Sequence, residues 1–258
     1  MSNLGWPDTP FGSTGRPVRR PVQWLTGLSC QWADSGGEPV LIGAAAVLLP
    51  VQRTRSTPLR LDLANFGFKA MAAESGCDTG LMEMLDAFLV QARRQARIIA
   101  WHSADDDLQV LRALARAGGG RRHPGIAGLS EAWAGRDRPA HGTARCVDTA
   151  LDFCPGTVIT EAAAAHGLAV PDELSGFQHP AHAQLCHDVP AEGGETAVIA
   201  ESIAAGALLQ AVTAALLGGK ATGRLHWEGD VSPLDLHRLI ESVAWGQFPY
   251  LFSRTHHW

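Results

Sequence analysis

Residues 24–49 read WLTGLSCQWADSGGEPVLIGAAAVLL, and the fold is decided there. Residues 24–32 form a first apolar run, 33–38 a turn, and 39–49 a second apolar run. Gly36-Gly37 between two apolar runs signals a hairpin, because glycine supplies the positive φ that a tight turn requires. The second run shows no polar alternation, as expected of a strand buried on both faces.

Outward from this hairpin, residues 56–63 are expected to add a third strand and close a meander, with 66–80 irregular. Asp78 or Thr79 is suited to cap a helix over 81–97, where Leu81, Met84, Leu85, Phe88 and Leu89 recur at helical spacing. Residues 98–101 (IIAW) are a short buried strand, 102–107 a loop, and 108–117 a helix stopped by three glycines. A long loop over 118–142 carries Arg121, Arg122, His123, Arg136 and Arg138. A strand over 144–149 precedes a helix over 157–166, a polar segment over 168–194 and an Ala-rich helix over 196–217 that Gly218-Gly219 ends. A short amphipathic helix is expected over 233–244. The order β-β-β-α-β-α-β-α-α specifies an α/β protein with a mixed sheet.

A chain of 258 residues with 46% hydrophobic and 18% charged residues has ample material for one large core. The net charge of −5 gives no global basic field for nucleic acid, although a local patch stays open. Five cysteines, odd in number and without a CxxC pair, fit buried thiols in a reducing compartment better than a disulfide framework. Without an apolar leader or an uninterrupted spanning run, a cytoplasmic location and no membrane partner are expected. The organisation is an arm over 1–21, one domain over 22–217 and an aromatic-rich extension over 218–258.

The hairpin resembles the first motif of DnaQ-like (DEDD superfamily) 3′–5′ exonucleases, in which an Asp-x-Glu strand turns into a strand containing Ile-Gly-Ala. Ile42-Gly43-Ala44 matches the second strand. Ser29 and Gln31 occupy the positions of the two carboxylates. His102-Ser103-Ala104-Asp105-Asp106-Asp107-Leu108 resembles the second motif and places a metal ligand at Asp107, or at Asp106 in a register one residue shorter. The bland alternative is that Asp105, Asp106 and Asp107 are helix N-terminal carboxylates facing the helix dipole. Val147-Asp148-Thr149 resembles a strand-end pair that is mainly structural, and Asp148 is taken first as a turn or cap residue.

The last family motif has two registers here. In one, residues 182–188 (HAQLCHD) supply Asp188 as ligand and His182 or His187 as general base. In the other, Glu201 is the ligand and Thr196 stands where the base belongs.

The resemblance spans residues 22–217 and implies an RNase H-like fold with a five-stranded mixed sheet flanked by helices. It implies a centre with two carboxylates kept and two lost. The family's two-ion hydrolysis needs oxygen ligands for hard cations. Here the implied cofactor is none, or weakly bound Mg²⁺ or Mn²⁺, and hydrolysis is expected to be absent or feeble.

Three functions compete on this basis. The first is a pseudo-exonuclease that binds nucleic acid, a nucleotide or a protein partner. The second is an active metal-dependent exonuclease or nucleotide phosphodiesterase with a non-standard ligand set. The third is a structural subunit assembling through its tail, as a homodimer or with another protein. Trp101, His102, Arg121 and Arg122 are the candidate contacts to single-stranded nucleic acid, since aromatic and basic groups together suit it. A solvated arginine loop is the plainer alternative.

Overall fold

In the computed structural model the hairpin extends beyond its apolar runs. Strands β1 (Val22–Ser35) and β2 (Glu38–Gln52) pair antiparallel from Val22↔Gln52 to Ser35↔Glu38. Gly36 and Gly37 adopt φ of 66° and 90°, and the Gly37 N–H donates to Asp34 Oδ1 at 2.8 Å. The structure describes residues 2–3, 22–59, 67–73, 79–117, 122–138, 143–153, 155–170, 194–228 and 234–235.

The third strand is β3 (Gly67–Ala72), antiparallel to β2, and not the expected 56–63. Residues 53–55 bend, and Thr57–Pro58 pair parallel with Leu225–His226 instead. Pro58 has no N–H to give a central ladder. Ala70, Met71 and Ala72 are fully buried beside the small Ala44, Ala45 and Ala46 of β2.

Helix α1 (Thr79–Gln95) then leads to β4 (Ala96–Trp101), which runs parallel to β1. Helix α2 (Ala104–Ala117) and helix α3 (Pro124–Ala134) lead to β5 (Arg145–Asp148), parallel to β4. A single π turn over Thr149–Phe153 precedes α4 (Ile159–Ala165) and the long α5 (Gly194–Ala221). The five main strands lie in the order β3-β2-β1-β4-β5, and Ser2–Asn3 add a short antiparallel pair outside β3. The chain is thus α/β, with a mixed five-stranded sheet flanked by helices.

Alternation along the strands assigns the two faces. Leu25, Ala45, Val47 and Leu49 join the core beneath α4 and α5, whereas Leu28, Cys30, Ala46 and Leu48 join the core beneath α1, α2 and α3. Residues 203–221 are apolar and long enough to cross a membrane, but 89% of that window is buried inside the domain. It is the core helix that its interrupting polar residues imply.

Several expected boundaries move. Helix α5 does not stop at Gly218-Gly219. A Cβ at Gly218 would overlap Ala100, and one at Gly219 would overlap Leu225, so these glycines permit close approach within a continuing helix. Gly27 does the same from the sheet side, where a Cβ would fall on the Ala211 carbonyl. The expected loop over 118–142 contains α3. Pro124 suits its first turn, and buried Ile126, Leu129 and Trp133 give it an apolar stripe. Buried Asp86 holds its start by accepting the Ile126 N–H at 2.8 Å. Of the expected helix over 233–244 only Leu234–Asp235 are described, and they pair as a strand with Leu168–Ala169.

Candidate functional site

The three parallel strands β1, β4 and β5 point their carboxyl ends to one edge, where α/β proteins place their ligand crevices. Trp101 ends β4 beside Leu28, so Ser29, Cys30 and Gln31 overhang the crevice. Helix α2 begins there at Ala104 and brings Asp107 back toward β1. A cavity of about 180 Å³ is lined by Ser29, Cys30, His102, Asp107 and Gln210, among others. The fold therefore does gather Ser29, His102 and Asp107.

The start of α2 depends on Asp148. Its carboxylate is fully buried and accepts the N–H groups of Ser103 (3.0 Å), Ala104 (2.8 Å) and Ala150 (3.0 Å). Three N–H donors satisfy one buried charge and two free amides at a helix start. Ser103 takes φ 62° at this junction. Asp148 is the cap residue its sequence context implies, and it moves the start of α2 from 108 to 104. Asp105, Asp106 and Asp107 accordingly fall in the first helical turn, not in a preceding loop. Asp105 and Asp106 are exposed, and Asp105 lies 3.9 Å from Arg136.

Asp107 is held by two indoles. Trp32 Nε1–H donates to Oδ1 and Trp101 Nε1–H donates to Oδ2, each at 2.7 Å. Desolvation pushes its pKa from 3.8 to about 7, against the lowering effect of the two indole donors. Asp106 and Asp148 add smaller repulsions that also raise it. The desolvated setting persists although the residue as a whole keeps a partly exposed surface. Cys30 next to it is buried and reduced, and burial with the Asp107 charge raises its thiol pKa well above the ordinary value.

The two substituted ligand positions face α5. Ser29 is buried and donates its hydroxyl to the Ala207 carbonyl. Gln31 is buried, and among the described residues its Nε2 has no hydrogen-bond partner. His102 Nδ1 lies 3.0 Å from Thr149 Oγ1, and burial lowers its pKa despite the nearby Asp148.

Trp101 is not available for base stacking. It is 1% exposed, donates to Asp107 and packs edge-on against Trp133 with centroids 6.3 Å apart. Arg122 is exposed, and Arg121 lies outside the described residues. His182, His187 and Asp188 also lie outside them. Thr196 and Glu201 are on α5, but their side chains are not described. Among the described residues no group of three or more His, Cys, Asp or Glu side chains is placed to hold a metal ion.

The sequence singles out Asp107, Ser29 and Gln31 but not Trp32, the clasp from β1. Its one sequence signal is position: a polar-capable aromatic directly after Gln31. A register irregularity between Gln31 and Trp32 accompanies the turn of that side chain toward Asp107.

Comparison with family models, with curated proteins and with solved structures finds no match.

Proposed function

We propose that this chain is a catalytically silent relative of the DnaQ-like 3′–5′ exonucleases, with an RNase H-like fold, that acts by binding rather than by hydrolysis. The sheet order β3-β2-β1-β4-β5, with a three-stranded antiparallel meander followed by two parallel strands, supports the fold assignment. The observation that carries the functional proposal is the occupancy of Asp107. Both of its oxygens accept indole N–H groups, in a setting that favours the neutral carboxyl.

A two-ion phosphodiesterase needs several ionised oxygen ligands converging on one crevice. Here the Ser29 hydroxyl is engaged by α5, Gln31 offers an uncharged amide, and Asp107 is clasped. These residues do not fit a two-ion clamp. A single weakly held Mg²⁺ or Mn²⁺ would have to draw on Asp188 or Glu201. The ligand class proposed is single-stranded nucleic acid or a nucleotide.

The test is calorimetric titration of Mg²⁺ and Mn²⁺ into the full chain, with and without a short single-stranded oligonucleotide whose cleavage is followed in the same samples. The expected result is no metal-dependent cleavage. Cleavage that disappears in Asp107→Ala would overturn the proposal and restore Asp107 as a ligand.

A further inference from the structure

The chain's charge is unevenly distributed. Residues 93–145 hold ten arginines, no lysine and five carboxylates, a balance of +5. The chain totals of 21 basic and 26 acidic residues leave eleven against twenty-one elsewhere, or −10. A net acidic protein therefore carries a strongly basic segment, whose described residues run from the end of α1 through α2 and α3 to β5.

Within it, α2 and α3 enclose a groove of about 500 Å³. Arg112 and Arg116 line one wall from α2, one helical turn apart and both exposed. His123 stands at the start of α3, and buried Ile126 and exposed Ala127 add apolar lining. Glu131 is the one acidic residue among the described lining residues. Among the described residues, neither Arg112 nor Arg116 has an ion-pair or hydrogen-bond partner, and Arg122, next to His123 in the chain, is also exposed and unpaired. Like charges one turn apart on a helix repel each other. A bound anion removes that repulsion.

We infer that this α2–α3 groove is a binding surface for the phosphate backbone of single-stranded nucleic acid. It deepens the function proposed above by naming where the ligand lies, since it rests on binding without cleavage. Positions four apart on a helix are separated by roughly 6 Å along the axis, a span that suits consecutive phosphates of one strand. Guanidinium groups suit phosphate through paired N–H donors. The groove and the Asp107 crevice share no lining residue, so they are separate surfaces. With no Trp, Tyr or Phe among the groove's described lining residues, contact is to phosphate and binding is indifferent to base sequence.

The experiment is fluorescence anisotropy of a labelled oligothymidylate with the full chain across a salt series. Two to three phosphate contacts predict a log–log salt slope of about −1.4 to −2 for a single strand. Arg112→Glu with Arg116→Glu is expected to weaken binding at least about tenfold and flatten that slope. Arg53→Glu with Arg55→Glu makes the same charge change at an exposed bend outside the groove, and is expected to stay within about twofold. Circular dichroism confirms that both variants fold.

Absence of binding by the unaltered chain overturns the inference together with single-stranded nucleic acid as the proposed ligand class, and leaves only the loss of hydrolysis at the Asp107 crevice standing. Equal losses in both double variants overturn it in favour of net charge alone. Competition by poly-glutamate as strong as that by the oligonucleotide overturns it in favour of an acidic protein segment. Cleavage of the oligonucleotide would instead count against the silent site and not against the groove.

Discussion

Replacing Asp107 with Asn separates a clasped neutral carboxyl from an ordinary surface carboxylate. In the folded protein desolvation raises its pKa from 3.8 to about 7. Below pH 4 both folded and unfolded chains are protonated at this group, and it contributes no pH dependence. As pH rises above 4 the unfolded chain ionises first and gains, so folding stability falls. The fall proceeds at up to about 1.4 kcal/mol per pH unit and levels off above pH 7, once the folded form has ionised too. The full loss is about 4 kcal/mol if the carboxyl sees no water, and about 2 kcal/mol if its partly exposed edge screens half of it.

Asp107→Asn cannot ionise and removes this fall. It also offers one acceptor oxygen to two indoles, leaving a buried N–H unpaired at a cost of about 1–3 kcal/mol. The variant is therefore expected to be the less stable protein at pH 5. Between pH 5 and pH 8 it should close on or overtake the unaltered chain by about 1–3 kcal/mol. Urea unfolding followed by tryptophan fluorescence at several pH values measures both, and the difference between the two proteins cancels the other titrating groups. Parallel pH profiles would refute the reasoning, because they would mean that Asp107 titrates in the ordinary carboxylate range.

Gly27→Ala pushes a methyl into the Ala211 carbonyl and separates β1 from α5. It should lower stability by about 1–3 kcal/mol or more, read as a drop in Tm. Gln31→Leu removes a buried amide whose Nε2 has no partner among the described residues, and it should stabilise by about 1–2 kcal/mol in the same assay. Asp148→Ala strips the acceptor from three N–H groups. It should cost about 3 kcal/mol or more, with faster amide exchange at Ser103 and Ala104. Cys30 and Cys146 are buried with raised thiol pKa values, to about 11 for Cys146. Site-resolved mass spectrometry should find both unalkylated by iodoacetamide at pH 8 until the chain is unfolded.

The hairpin was legible because its signal is local. Two apolar runs around Gly36-Gly37 leave few other conformations, and the paired strands include both runs. The core helix over 194–221 was legible for the same reason, through sustained apolar length. The third strand was not. Residues 56–63 and 67–72 are both short and apolar in part, and the choice between them fell to Pro58 and to the small side chains that fit against β2. The helix α3 was hidden because arginines and glycines around it suggest a loop, while its stripe of Ile126, Leu129 and Trp133 spans only two turns.

The site divides in the same way. Sequence alone determined that Ser29 and Gln31 are uncharged, that three acids stand together at 105–107, and that Asp148 follows an apolar strand. These are identities, and they limit which ions the crevice can hold. Only the tertiary structure decided what Asp107 does. Its partners Trp32 and Trp101 lie 75 and 6 residues away and come from two parallel strands. A carboxyl's ionisation depends on the dielectric and the donors around it, and those are supplied by whatever the fold brings near. The same limit explains the glycines: Gly218 looks like a break in the sequence and Gly27 is one more member of an apolar run, and both become close contacts only once α5 lies across the sheet.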